Sequence, residues 1–550
     1  MHIFRHTQEV TTAARLWQTW EAAWEAGSGL DALLACARLE CACADQAARG
    51  HLETPSGSQA LLRLSLQTAA FYLRLKPRPG REALRAAQAA LPPGSTRLRL
   101  AALEGVRFYA LSPEAYAAAA RQWLRVRNPA RAQTTVWVLG LRSMGSLLAP
   151  VVAATLEHAG CRTRCLTLRP IGPPAQRRLR LARELRKRWA ESRDEFLIVD
   201  EGPGLSGSSF GGSVRSLRHL GVAPDRIALL AAWAPSRMQA ASFSDPLTAR
   251  EWSDWPVFAA PPLAPPEPGR EISGGGWRHL LGAHPSVAVW PQHERRKFLC
   301  RRGTVLAKFA GFGPYAEATL ARAQALERNR WGPRLADGAN QYITQGWILY
   351  RRAAALPLQR PNAAWCAFAG RYLAGRAAAF HLAGSRPPTP ALRQMLRVNL
   401  QRLLQLPPPA EVPAGPVMAP DGHMMPWEWG VTANGFVKFD GTDHCDDPFF
   451  PGPADVAWDL AAVAAEFGPA CGTAVLEAYC RASGETIAQL EARLRWHQLA
   501  YTAFRAAYCH FAATQTLLDD RRRFRHAAQR YSRQLRALCA VRASAAGSPP

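Results

Sequence analysis

The spacing of apolar residues changes character along this 550-residue chain. Up to about residue 130 it is helical: Trp17, Trp20 and Trp24 share one face, and alanine-rich stretches continue through Ala118. A tryptophan stripe at that spacing reads as helix core. From Thr134 short β-rich runs appear, TTVWVLGL, CRTRCLTL, FLIVDEG and RIALLAAW. The helical stretches SLLAPVVAATLEHAG and GSSFGGSVRSLRHLG follow the first and third of them. Such alternation predicts a parallel sheet with ligands at the carboxyl ends of its strands. AAPPLAPPEPGREISGGG (259–276) reads as a linker. Beyond it come strand-like GTVLAKFAGFG, helical PYAEATLARAQALERN and strand-like QYITQGWILY. A second proline-rich break, LQLPPPAEVPAGP (404–416), precedes a motif-dense segment at 418–460 and then amphipathic helix ending in a basic, frayed tail.

Length and composition narrow the class. The chain is too long for one core, and 48% apolar residues make it globular. No apolar run approaches the roughly 18–20 residues of a membrane span, and MHIFRHTQEV lacks the layout of a secretion signal. Twelve cysteines are too few for a disulfide scaffold, and Cys36, Cys41 and Cys43 lack the paired spacing of a zinc knuckle. The expectation is a soluble cytoplasmic protein. A net charge of +26 favours anionic partners: phosphorylated small molecules, or, with no recognition motif in support, nucleic acid. Of the 68 basic residues only five are lysine (Lys76, Lys187, Lys297, Lys308, Lys438), so a lysine marks a place where a compact ammonium is needed.

Residues 196–210, FLIVDEGPGLSGSSF, combine a buried strand, two acids and a Gly/Ser-rich turn entering a helix. Gly204 and Gly207 let the backbone curl so that its amides converge on a phosphate, and Ser206, Ser208 and Ser209 add hydroxyls. The helix start contributes its positive end. Asp200 and Glu201 are placed to accept hydrogen bonds from ribose hydroxyls or to hold magnesium through water. This pattern resembles the type I phosphoribosyltransferases. The resemblance implies that VLGLRSMGSLLA (138–149) is the pyrophosphate loop, with Gly140 and Gly145 at its turns and Arg142 aimed at the diphosphate. It also implies that the basic stretch 169–188 is a flexible loop closing over the site, with Arg177, Arg178 and Arg180 on the leaving pyrophosphate.

Lys308 ends the strand-like VLAK, and Glu317 lies on the following helix. DGHMMPWEW (421–429), KFDGTDH (438–444) and ADVAWDLA (454–461) follow in order. Together they resemble the protein-kinase-like fold, in its aminoglycoside and choline kinase branch. The resemblance implies that Lys308 orients ATP phosphates, Glu317 orients Lys308, Asp440 holds magnesium and Asp459 belongs to the large-lobe scaffold. QYITQGWI becomes the segment linking the lobes. His423 stands where the family has its catalytic aspartate, and Glu428 where it has a metal-binding asparagine. Histidine can act as a general base and glutamate can bind magnesium. Asp443, His444, Asp446 and Asp447 add further hard ligands.

The expected architecture is α/β plus α+β. A helical region at 1–100, a candidate hood, precedes a phosphoribosyltransferase-like domain at 101–258, with a linker at 259–284. A two-lobed kinase-like domain follows at 285–535 (small lobe 285–350, large lobe 351–535), and a tail at 536–550. The expected function is phosphoribosyl transfer from PRPP to a small-molecule acceptor, with magnesium, and a fused lobe using ATP to phosphorylate the product or a related metabolite. The alternative is a non-catalytic PRPP- or nucleotide-binding sensor.

Overall fold

Val136, Trp137, Val138, Leu139 and Leu141 are all buried, so TTVWVLGL is apolar on both faces of its strand. The computed structural model describes residues 1–3, 10–48, 52–54, 59–127, 134–173, 175–281, 287–384, 389–409, 415–447, 449–450, 452–515 and 518–546. The chain divides into two compact units, 8–264, and 265–550 with 1–7. The break falls within the proline-rich 259–284 stretch; residues 282–284 of it lie outside the described residues.

In the first unit, β1 (Val10–Thr12) pairs with β2 (Arg97–Arg99) beside helices α1 (Ala13–Glu25), α2 (Gly29–Ala47), α3 (Gln59–Tyr72) and α4 (Arg81–Ala89). Trp17 and Trp20 sit in their core and Trp24 at its edge, as the stripe predicts. Cys36, Cys41 and Cys43 are buried there as free thiols. Helices α5 (Glu104–Phe108) and α6 (Pro113–Arg127) lead into five strands: β3 (Thr135–Leu141), β4 (Arg162–Leu168), β5 (Glu195–Val199), β6 (Ile227–Ala231) and β7 (Val257–Ala259). All pair in parallel, in the order β4-β3-β5-β6-β7. Helices α7 (Met144–His158), α8 (Arg183–Glu191), α9 (Ser208–His219), α10 (Arg237–Ala240) and α11 (Pro246–Glu251) make the crossovers. The order reverses between β3 and β5, so their carboxyl ends flank a switch-point crevice.

In the second unit four antiparallel strands, β8 (Gly269–Glu271), β9 (Lys297–Cys300), β10 (Val305–Phe309) and β11 (Trp347–Arg351), run in the order β11-β10-β9-β8 with α12 (Pro314–Arg328) against them. Lys308 of β10 lies opposite Lys297 of β9. The expected strand at 341–350 starts only at Trp347: Ala339–Gln345 is a 3-10 helix, closed by Gly346 at φ +82°. The rest is β12 (Leu356–Pro357), β13 (Trp429–Thr432) and β14 (Gly435–Lys438) with helices α13 (Ala363–Ala379), α14 (Thr389–Leu404), α15 (Ala457–Phe467), α16 (Pro469–Ser483), α17 (Ile487–Gln515) and α18 (Leu518–Ala546). The tail expected to fray from 536 continues α18 as far as Ala546. No helix among the described residues is long and apolar enough to cross a membrane.

Candidate functional site

Three of the five lysines meet at one place in the second unit. Lys308 Nζ lies 2.5 Å from Asp440 Oδ1 and 2.6 Å from Asp443 Oδ1. Antiparallel pairing brings Lys297 beside it, 3.3 Å from Asp440 Oδ2 and 3.1 Å from Glu294 Oε1. Arg295 Nε is 2.6 Å from Asp443 Oδ2. Lys438, at the end of β14 and completely buried, reaches Glu428 Oε2 at 2.5 Å and Asp421 Oδ1 at 3.2 Å.

The loops carrying these carboxylates are fixed from beneath. Asp459 on α15 accepts the amides of Asp421 (2.7 Å) and Gly422 (2.9 Å), the scaffold position expected of it. Arg376, wholly buried on α13, donates to the carbonyls of Ala419 (3.1 Å), Pro420 (2.7 Å) and Gly441 (2.6 Å), tying together the 419–422 and 440–443 loops. Tyr372, one turn earlier, donates to Asp421 Oδ2 at 2.5 Å.

His423 contacts Glu428 through Nδ1, and its ring centre is 4.4 Å from that of His444. His444 Nε2 is 3.6 Å from Glu428 Oε1 and 3.7 Å from Asp440 Oδ2, too far for hydrogen bonds. Burial disfavours every charge here, but the partners decide the outcome. Against burial, Lys308 and Lys297 hold the Asp440 carboxyl well below its ordinary value. His423 and Lys438 do the same for Glu428. Burial is opposed at His444 by Asp440 and Glu428, which push it up to about 10. At His423 burial prevails over Glu428 and the pKa falls.

Lys308, Asp440, His423 and Glu428 are therefore brought together, but Glu317 is not. Its carboxylate is exposed on the first turn of α12 and forms no ion pair among the described residues. Ala316, Thr319, Ala323 and Leu326 face inward at helical spacing, which turns residue 317 outward. Arg322 carries the link from α12 instead, donating to Thr442 O and Asp446. Lys297 and Lys438 went unassigned in the sequence, although the rarity of lysine marked them equally. Tyr372 and Arg376 lie inside an ordinary-looking helix, where nothing signalled them.

The switch-point crevice of the first unit holds Asp200 and Glu201, at the end of β5. Among the described residues neither carboxylate forms an ion pair. Asp200 Oδ1 accepts the Glu201 amide at 2.9 Å, and among the described residues Glu201 Oε2 is buried without a hydrogen-bond partner. Burial, offset in part by the Glu201 amide, Arg169 and Arg177, pushes Asp200 up to about 7. Burial, Glu104 and Asp200 raise Glu201.

The other expected phosphoribosyl contacts need correction. Gly207 adopts φ +61° at the start of α9, where a side chain would also strike Phe243 and Thr248. However, its amide donates to Gly204 O at 3.1 Å, and the Ser208 amide to Ser206 Oγ at 3.2 Å. These two amides satisfy the turn itself and do not converge on an anion. Ser206 and Ser208 share a hydroxyl bond at 2.7 Å, and Ser209 is held by Arg177. A Cβ on Gly204 would meet nothing within 4 Å, so glycine is not required there.

Arg142 does not face a ligand. It is buried against Glu53, with Asp45 Oδ1 3.3 Å from its Nε, and Arg169 shares both acids. Gly140 and Gly145 serve packing: a Cβ on Gly140 would lie 2.3 Å from Gly145 O, so the pair lets α7 rest against β3 and β5. The residue between them that sequence reasoning passed over is Ser143, at φ +100°. Its hydroxyl donates to Ala102 O at 2.6 Å, which helps hold this unfavourable conformation at the switch point. The expected flexible loop is tied down. Arg178 pairs with Ile171, Leu179 N donates to Ser216 Oγ at 3.0 Å, and Arg180 O accepts from Glu53 N at 2.7 Å. Arg178 and Arg180 line a cavity of about 520 Å³ along α9 with Arg177, Arg186 and Arg215.

Asp200 yields a pH prediction. A carboxyl near 7 in the folded state and about 3.9 unfolded keeps its proton longer when folded. Its stabilising effect is therefore complete below about pH 4 and is lost as pH rises through 7. Asp200→Asn is expected to raise the melting temperature of the full-length protein more at pH 8 than at pH 5. An equal shift at both would show that Asp200 titrates normally.

No family model matches this chain, and no curated protein does. Among solved structures it is similar to a choline/ethanolamine kinase family protein from Mesorhizobium loti, at 18% identity and TM-score 0.31, covering 48% of this chain and 92% of that one. A macrolide 2'-phosphotransferase from Brachybacterium faecium matches at 15% identity and TM-score 0.29, covering 46% of this chain and 95% of that one. An aminoglycoside phosphotransferase from Alicyclobacillus acidocaldarius matches at 14% and 0.30, covering 45% and 89%. None of these three names a phosphoribosyltransferase. The chemistry assigned to the site rests on its own geometry.

Proposed function

We propose that the second unit is a phosphotransferase that moves a phosphoryl group from ATP to a small-molecule acceptor. The observation carrying this reading is the convergence of Lys308, Lys297 and Arg295 on Asp440 and Asp443. Phosphoryl transfer asks a protein mainly for positioning and for charge stabilisation on phosphate oxygens. Two ammonium groups on adjacent strands and a guanidinium supply fixed cations for a polyphosphate. The Asp440 and Asp443 oxygens are hard donors that suit magnesium. Magnesium bound there neutralises charge on the phosphates. Asp459 and Arg376 hold the two acidic loops, so the cations face carboxylates fixed before any ligand arrives.

A second reading concerns the first unit, where PRPP is the proposed ligand of the switch-point crevice. It is favoured by Asp200 and Glu201, two carboxyl groups that form no ion pair among the described residues and stand beside a serine-rich turn, a chemistry that accepts ribose hydroxyls. The inward-turned amides mean that phosphate contacts would come chiefly from Ser206, Ser208, Ser209 and Arg177.

Both readings are tested on the full-length protein by thermal shift and by product analysis with a metabolite extract. ATP with magnesium is expected to raise the melting temperature and to be converted to ADP once extract is added. Absence of any shift with ATP or other nucleoside triphosphates would remove the phosphotransferase reading; a shift without turnover would favour a sensor. PRPP is expected to bind wild type and to lose about hundredfold affinity in the Asp200→Ala, Glu201→Ala double variant, which removes two carboxyl groups able to hydrogen-bond ribose hydroxyls. Unchanged affinity would remove the crevice as its site.

A further inference from the structure

His444 Nε2 faces two carboxylates and, among the described residues, has no hydrogen-bond partner. Its separations from Glu428 Oε1 and Asp440 Oδ2, 3.6 and 3.7 Å, exceed a hydrogen bond of roughly 3.2 Å at most. The 3.6 Å separation from Glu428 lies near the ~3.4 Å edge of a coordination tetrahedron whose bonds are about 2.1 Å. A ligand atom of His423, one of Glu428 and one of His444 all lie within 4.8 Å of one another.

We propose that His423, Glu428 and His444 hold a resident divalent ion of the zinc class. Two imidazoles among three donors suit a borderline transition metal, whereas magnesium takes oxygen ligands almost throughout. The surroundings hold the donors in place. Lys438 binds Glu428 Oε2 at 2.5 Å and leaves Oε1 toward the histidines, where it contacts His423 Nδ1. Asp421 Oδ1 accepts the His423 amide at 3.2 Å, and Asp421 is itself fixed by Tyr372 and Asp459. Such outer partners orient metal ligands and tune their affinity. Asp440 and Asp443, whose ligand atoms also lie within 4.8 Å of one of His444, remain with Lys308, Lys297 and Arg295 a group suited to a magnesium-bound polyphosphate. The inference goes beyond phosphoryl transfer, since metal binding requires no nucleotide. It also replaces the expectation that His423 acts as a general base, because a ligated imidazole has committed the lone pair that would take a proton.

The experiment uses the full-length protein purified through a tag without histidines. Elemental analysis is expected to find about one zinc-class ion per chain. After chelation, Co2+ titration should give the intense visible bands of a low-symmetry, nitrogen-ligated site. His444→Ala and His423→Ala are each expected to weaken Zn2+ binding more than hundredfold, with far-UV circular dichroism unchanged. Should either variant unfold, His444→Gln and Glu428→Gln keep the size of the side chains and must show the same loss. Absence of stoichiometric Zn2+ or Co2+ binding, or binding unaltered in these variants, would overturn the proposal and leave His444 as a cationic partner of Asp440 and Glu428. Magnesium binding as tightly as zinc would also overturn it. Transfer from ATP in a protein that binds no zinc-class ion removes this inference alone. A zinc-class ion in a protein that ignores every nucleotide removes the phosphotransferase reading alone.

Discussion

Lys308→Met is expected to lower kcat/KM for phosphoryl transfer from ATP by about 10²–10³-fold without unfolding the protein, the range seen when one fixed donor to a developing charge is removed. The expectation combines two features of the site. Lys308 is the cation shared by Asp440 and Asp443, so its loss removes a positive group at the centre of the cluster. Lys297 and Arg295 still face the same two carboxylates, so neither aspartate is left without a counter-charge. Steady-state ATP consumption beside a thermal melt separates the effects. Activity within about tenfold of wild type, in a variant melting normally, would show that Lys308 does not touch the reacting phosphates. Lys308→Arg is expected to recover little, because a planar fork does not replace a compact ammonium between two carboxylates.

Lys438→Met is expected to act on stability. Its ammonium is completely buried between Glu428 and Asp421 and also donates to the main-chain oxygen of Asp440. Removing one partner of a buried ion pair leaves uncompensated charge, which costs about 3–5 kcal/mol. Urea unfolding of the full-length chain measures it, with the transition of the second unit expected to move to lower denaturant. Adding Glu428→Gln to Lys438→Met should restore part of the loss, because one stranded carboxylate is then neutral. A loss below about 1 kcal/mol, or no recovery in the double variant, would mean that Lys438 is not the counter-charge that the geometry indicates.

These residues show how unevenly the chain disclosed its own chemistry. The strands of the parallel sheet were legible because each is a short apolar run ending in a turn, and burial on both faces demands that composition. Lys308, Asp440, His423, Glu428 and Asp459 were legible as an ordered series of motifs along 300–460. Glu317 was misplaced because the side of a helix a residue occupies depends on what packs against it. Arg142 was misplaced for a related reason: its partners Asp45 and Glu53 are about 90 residues away in sequence. No local pattern announces that an arginine near a turn will be buried in an ion-pair network. The composition of the serine-rich loop marks a strand-to-helix turn, but whether its amides point outward or close on the loop is a matter of backbone angles.

Local composition alone thus dictates the alternating strands and helices, the proline-rich divide near 265 and the lysine that survives in a chain of arginines. Periodicity, turn chemistry and charge are properties of neighbouring residues, and they persist whatever the rest of the chain does. The tertiary structure alone sets Lys297 beside Lys308, places Lys438 beneath Glu428 and turns His444 toward two acids without a hydrogen bond. Lys308 and Asp440 lie 132 residues apart in the sequence, and only cross-strand register and packing bring β9, β10, β14 and their loops within reach of one another.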